Sequence, residues 1–211
     1  MIGHTRKSGG RASARRFVVA AVAIVAALIP FSAANAADGG GAQPDVTVRE
    51  ERGIYSVTAR FHVPQAPAIA FAVLTDYEHI PRFMSDIKTS WVLERSDGRA
   101  VVEQEGISRF MMFSKRVHLV LEIAEAGDSV RFRDRCGRSF SSYEGQWSMV
   151  ASGGGTDIIY ELTADPSFSV PETLLKRLLR RDSGRMIESL QQEMAARASR
   201  PQEESVLHSP R

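Results

Sequence analysis

Residues 54–84 read IYSVTARFHVPQAPAIAFAVLTDYEHIPRFM, and their period changes once. Tyr55, Val57, Ala59, Phe61 and Val63 alternate with Ser56, Thr58, Arg60 and His62, which predicts a long strand buried on one face. Pro64 and Pro67 end it. Pro67 suits the first turn of a helix, where a missing N–H costs nothing, and Ile69, Phe71, Val73 and Leu74 supply the apolar stripe. Thr75-Asp76 closes that helix. Asp76 is expected to cap a second short helix, Tyr77–Met84, rather than to do chemistry.

Outward from this stretch the chain keeps to strands. Upstream, Val46 and Val48 alternate with polar neighbours, and Arg52-Gly53 marks a turn. Downstream, Lys88–Arg95 leads through the Asp97-Gly98 turn into Ala100–Phe110, a strong hairpin signal. Ser114–Ile123 sets Val117, Leu119, Leu121 and Ile123 on one face. Val130–Arg135 opposes Val130, Phe132 and Asp134 to three arginines, and Tyr143, Gly145, Trp147 and Met149 form the next apolar face. Gly153-Gly154-Gly155 precedes the strand carrying Ile158, Tyr160 and Leu162, so it reads as a hairpin loop and not as a phosphate cradle. From Pro171 the period becomes helical, with Leu174, Leu175, Leu178, Leu179, Met186, Ile187, Leu190 and Met194 in one stripe. Asp182-Ser183-Gly184 interrupts the stripe and is expected to bend it. The fold class is α+β: a curved antiparallel sheet wrapped around one long C-terminal helix, with two short helices after the first long strand.

The flanks have a different character. Residues 1–36 hold Arg6, Lys7, Arg11, Arg15 and Arg16 and no acid, an apolar run from Phe17 to Ile29, and Ala34-Asn35-Ala36. This is the layout of a secretory signal peptide, predicted to be cleaved after Ala36; an uncleaved anchor is the alternative. Arg15-Arg16-Phe17 hints at a twin-arginine signal, but the match is loose and Sec export is expected, with a periplasmic or secreted product. Residues 37–44 form a flexible leader, 45–198 the domain, and 199–211 a disordered tail. The net charge of +2 reflects residues 1–36. Removing their five basic residues from 27 leaves 22 against 25 acids, so nucleic acid is not an expected partner.

Catalytic and metal signatures are sparse. The histidines, His4, His62, His79, His118 and His208, show no ligand spacing, and no HExxH, CxxC, GxSxG or P-loop is present. No metal or cofactor is expected. Cys136 is the only cysteine, so no internal disulfide forms; a half-buried strand cysteine is the ordinary reading and a catalytic thiol the other. Glu103 and Glu105 read as a solvated outer face. Two patches stand out. Phe110-Met111-Met112-Phe113 is four large apolar residues at a strand junction, either core or the mouth of a cavity. Lys176, Arg177, Arg180 and Arg181, with Arg185, lie opposite the leucine stripe, as a solvated face or a contact for anionic lipid headgroups.

Leu74-Thr75-Asp76-Tyr77 with Pro81 and Phe83, Gly145-x-Trp147, the glycine turn with Thr156, and Tyr160 with Pro166 together resemble the START/Bet v 1-like (SRPBCC) superfamily. The likeness is to its polyketide cyclase/dehydrase and coenzyme Q-binding-protein branch, and it covers roughly Val46 to Arg197. It implies a helix-grip fold around a cavity for a hydrophobic ligand, and supplies no catalytic residue shared by the branch. The cavity is expected to be lined by Val102, Gln104, Met112, Val117, Leu119, Phe132, Tyr143, Trp147, Tyr160, Leu175, Leu178 and Leu179. The expected function is that of a monomeric, exported carrier of a lipid- or isoprenoid-like molecule. The alternative is a cyclase/aromatase-type enzyme on a polyketide-like substrate, with Asp134 and Tyr143 or Tyr160 as its acid–base nominees. A third reading is an interaction protein with a filled core.

Overall fold

The computed structural model describes residues 44–110 and 113–200. Its strands are β1 (Asp45–Glu51), β2 (Ile54–Val63), β3 (Ile87–Ser96), β4 (Arg99–Phe110), β5 (Phe113–Ala126), β6 (Ser129–Asp134), β7 (Phe140–Ser152) and β8 (Gly155–Pro166). Between β2 and β3 stand α1 (Pro67–Leu74), a 3₁₀ turn (Tyr77–His79) and α2 (Ile80–Phe83). The long helix α3 (Glu172–Ala198) follows β8. The strands make one sheet in the order β1-β2-β8-β7-β6-β5-β4-β3, so β1 and β3 are its edges. This is the helix-grip α+β arrangement. The expected signal peptide, most of the leader, Met111, Met112 and the tail beyond residue 200 lie outside the described residues. Among the described residues, no helix is long and apolar enough to cross a membrane.

The period-two reading translates directly into burial. Tyr55, Val57, Ala59, Phe61 and Val63 are all buried, as are Thr156, Ile158, Tyr160, Leu162 and Ala164 on the neighbouring β8. The β1–β2 turn needs left-handed backbone at Arg52 (φ 53°) and Gly53 (φ 84°), so the glycine relieves the second of two strained positions. On α3, Leu175, Ser183, Ile187, Leu190 and Met194 are buried. The helix runs unbroken through Asp182-Ser183-Gly184, so the expected interruption does not occur. Ser183 is itself buried, and its small side chain continues the inward stripe between Leu175 and Ile187.

Asp76 does not cap the second short helix. Its carboxylate instead accepts a hydrogen bond from His79 Nδ1 (2.6 Å) and another from Arg197 Nη2 (2.6 Å), tying the α1–α2 corner to the end of α3. Burial pulls the Asp76 carboxyl upward, but those two bonds and their charges hold it below the ordinary carboxylate range. Beside it, the Thr75 hydroxyl donates to the Phe71 carbonyl (2.8 Å), and the Tyr77 hydroxyl donates to Glu125 Oε1 (2.8 Å). Arg95 sits 5.5 Å from the Tyr77 ring centroid and pairs with the same Glu125. The Leu74–Tyr77 stretch is thus a structural knot joining α1, α3 and the far sheet edge.

Candidate functional site

The inward face of the sheet carries a run of aromatic rings. Trp147 and Tyr160 lie 4.3 Å apart between centroids, Tyr160 and Phe132 6.4 Å, Phe132 and Tyr143 5.9 Å, and Tyr143 and Phe140 4.9 Å. Phe168, beyond β8, continues the run at 6.0 Å from Phe140. Gly145 makes this wall possible. It pairs with Phe132 across β6–β7, and a Cβ there would stand 2.7 Å from Phe132 Cζ and collide with the Glu161 carbonyl.

Strand alternation places Val102, Gln104, Val117, Leu119, Phe132, Tyr143, Trp147 and Tyr160 on this inward face. Val102, Leu119, Trp147, Tyr160 and Leu175 are buried. Gln104, Val117, Phe132, Tyr143 and Leu179 point inward yet are only half-buried. That combination marks an inner surface the helix does not seal. α3 packs against β1, α1 and β2, meets β4 and α2 at its edge, and lies away from β5–β7. Leu178, one residue and about 100° round the helix from Leu179, is half-buried and outside the core cluster. Met112 is outside the described residues. Sequence reasoning left out Phe83, Met84, Val92, Phe168, Val170 and Met186, which are partly buried against the same core. Phe83, Met84 and Met186 lay within patterns already recognised; Phe168 and Val170 sit in a short connection with no period to read.

The polar groups on this face are few. Gln104 Nε2 donates to Ser90 Oγ at 3.2 Å. The Tyr143 and Tyr160 phenols influence one another electrostatically. Burial pushes Tyr143 up, with the nearby Tyr160 hydroxyl opposing and the Asp134 charge adding. Burial pushes Tyr160 well up, and Tyr143 adds to it. Both phenols are therefore neutral near pH 7: they donate hydrogen bonds and do not act as bases. Asp134, the other acid–base nominee, is committed to the backbone. Its Oδ1 accepts from the N–H groups of Val120 (2.8 Å) and Cys136 (3.2 Å), and its Oδ2 from that of Gly137 (2.9 Å). The sequence reading of Cys136 needs a correction too. It is half-buried, but in the bend between β6 and β7 rather than on a strand.

The opposite face of the sheet carries a groove of about 1110 Å³. Its walls are Arg99, Arg131, Arg133 and Arg135 with Glu94, Glu122, Glu144 and Glu161, which suits charged and not apolar ligands. Of the basic patch on α3, Lys176 pairs with Glu172 (2.5 Å) and Glu50 (4.0 Å), and Arg181 binds Asp182 and the Arg109 carbonyl. Arg177 and Arg180 are exposed. Ser108 Oγ donates to Asp182 Oδ2 (2.5 Å), so this flank of α3 is latched to the end of β4. Among the described residues, no group of three or more His, Cys, Asp or Glu side chains could hold a metal ion.

Residues 55–195 match the family model described as polyketide cyclase / dehydrase and lipid transport. No curated protein matches the sequence. Among solved structures, the fold is similar to that of a STAR-related lipid transfer protein from Xanthomonas axonopodis (18% identity, TM-score 0.57, 72% of this chain and 99% of that one). It is also similar to the Zhui aromatase/cyclase from Streptomyces sp. R1128 (12%, 0.61, 69% and 96%). A third likeness is to a START superfamily protein from Mycobacterium smegmatis (18%, 0.59, 67% and 97%). At these identities the likeness is one of fold.

Proposed function

The chain belongs to the polyketide cyclase / dehydrase and lipid transport family, and from that premise we propose that it is an exported carrier of a lipid- or isoprenoid-like molecule. The observation that carries this reading is the half-covered inward wall of Val117, Phe132, Tyr143 and Leu179. Covering about 300 Å² of such surface with an apolar ligand supplies roughly 7 kcal/mol at ~25 cal/mol per Å², before the costs of association. A free hydroxyl proton of the Tyr143–Tyr160 pair and the Gln104 amide orient the ligand's polar end. The name of the lipid transfer protein from Xanthomonas axonopodis supports the carrier reading by analogy of fold alone. The cyclase/aromatase alternative is the weaker one, because its nominated base, Asp134, is held by three backbone N–H groups and the two phenols stay protonated. Lipid headgroup contact, if it forms, rests on Arg177 and Arg180.

Native mass spectrometry of protein from its own host, followed by extraction, tests the carrier reading. An apolar small molecule released from the folded protein is the expected result. A ligand-free protein that also ignores fluorescent fatty-acid and isoprenoid probes refutes it. N-terminal sequencing tests export separately: the mature chain begins at Ala37, and a soluble pool retaining Met1 refutes that part.

A further inference from the structure

Cys136 lies outside the inward wall, and it has neighbours. Its Sγ stands 3.6 Å from His118 Nδ1, and His118 Nε2 stands 2.9 Å from Glu103 Oε1. A carboxylate has no proton to give, so Nε2 carries the hydrogen of the neutral ring. Nδ1 is then the lone-pair nitrogen, and it faces the thiol. Nucleophile, base and orienting carboxylate follow one another in hydrogen-bond order. The placement has a topological cause. β6 leaves β5 after Asp134, and the 135–139 segment covers the strand edge it vacates: Ser139 Oγ accepts the His118 N–H (3.0 Å), and the Arg135 N–H donates to the Val120 carbonyl (2.9 Å). That cover brings the thiol onto the imidazole. Arg135, the preceding residue, lines the edge of the outer groove, whose walls do not include Cys136, His118 or Glu103.

We propose that Cys136, His118 and Glu103 form a thiol–disulfide exchange centre on the outer side of the sheet that takes low-molecular-weight disulfides. His118 Nδ1 accepts the Cys136 proton, and the thiolate attacks one sulfur of R–S–S–R. The reagent's S–S bond breaks as the Sγ–S bond forms. The departing thiolate takes the proton back from His118 and leaves as R–SH. Cys136 ends as a mixed disulfide, one R–SH is released, and the reagent is the oxidant. Acyl transfer fits the site less well. It needs free N–H groups for an oxyanion, whereas the amides of Val120, Cys136 and Gly137 all serve Asp134. Disulfide exchange keeps its charge on sulfur and needs none. Arg138, with Nη1 3.5 Å from His118 Nε2, is the cation placed to offset Glu103, Asp134 and Glu105, the carboxylates around the ring and thiol, and to receive a carboxylate of the incoming disulfide.

The test uses the purified protein and oxidised glutathione, with intact-mass spectrometry following the adduct across neutral pH. The expected rate for folded protein is about tenfold or more above that of the same chain in denaturant. His118→Gln lowers it to the denatured rate. Glu103 is a positioning residue, so Glu103→Ala slows exchange while Glu103→Gln, whose carbonyl still accepts from Nε2–H, retains most of it. Cys136→Ser forms no adduct. A folded rate at or below the denatured one overturns the proposal, as does a His118→Gln protein that reacts like wild type. If His118→Gln does not fold, the Glu103 pair decides: equal rates for Ala and Gln at that position overturn it.

Discussion

Leu179 and Leu190 sit on the same helix and offer the sharpest comparison of open with closed interior. Leu190 is 1% exposed and walled by core residues, whereas Leu179 is half-buried on the inward surface. Truncating Leu190 to alanine removes about 2 kcal/mol of transfer free energy and leaves a hole. At roughly 24 cal/mol per Å³, a residual cavity of about 80 Å³ adds ~2 kcal/mol, for a total of ~4 kcal/mol. Leu179→Ala loses about half the transfer contribution and leaves a smaller void, because its side chain is only half-buried to begin with; the expected cost is under ~2 kcal/mol. In a domain of this size these correspond to Tm losses of roughly 8–16 °C and under ~8 °C. Urea titration followed by tryptophan fluorescence measures both. Binding of a fluorescent fatty acid then separates the sites. Leu179→Ala weakens it about 5- to 10-fold through lost contact area, while Leu190→Ala, assayed where it is still folded, stays within about twofold. Equal stability losses with no change in probe affinity mean a solid core at Leu179, and the carrier reading goes with it.

Other substitutions probe the rest of the framework. Gly145→Ala drives a methyl into Phe132 and the Glu161 carbonyl, so a loss of about 3 kcal/mol or more is expected in urea unfolding. Tyr143→Phe and Tyr160→Phe each remove one phenol from the inward face at a cost of about 1 kcal/mol, and a double-mutant cycle reads the coupling between the two. Because Asp76 is held below its unfolded value near 3.9, its contribution to stability is complete above that pH and is lost as pH falls through the lower folded value. Arg197→Ala removes part of this, so its urea midpoint should depend less on acid pH than that of wild type. Cys136→Ser should leave stability within about 1–2 kcal/mol and fatty-acid affinity unchanged, since the thiol lies outside the inward wall; complete loss of probe binding in a folded variant would contradict that placement.

Burial direction was legible in the sequence because it follows from backbone geometry alone. Alternation fixed which of Tyr55–Val63 point inward, and a 3.6-residue stripe fixed most of the inner face of α3. Partnership was not legible. Asp76 precedes a short helix, so local rules make it a cap, yet Arg197 is 121 residues away and wins the carboxylate. Asp134 reads as an inward acid by parity, but the strand ends there and its oxygens turn to the amides of Val120, Cys136 and Gly137. Glu103 reads as solvated because its strand neighbours alternate; its bond to His118 spans a hairpin whose register pattern alone cannot specify side-chain reach. These partnerships each involve a charged group and a partner brought close by tertiary structure.

The same division explains why the family can be read more easily than the ligand. The motif that carries the resemblance uses its polar atoms internally: Thr75 on the Phe71 carbonyl, Asp76 on His79 and Arg197, Tyr77 on Glu125. Such residues answer to the fold, whatever the inward wall binds. The inward wall has the opposite property. Val117, Phe132, Tyr143 and Leu179 satisfy the fold simply by being apolar and about the right size. On the carrier reading their exact identities are free to follow the ligand's shape, and Gln104, Tyr143 and Tyr160 would give it a polar address. Swapping Gln104 for leucine removes its single bond to the buried Ser90 hydroxyl and should cost about 1–3 kcal/mol, leaving the protein folded. It should shift preference from probes with a polar headgroup toward plain hydrocarbons of the same length. Unchanged selectivity between the two would mean that Gln104 does not touch the ligand.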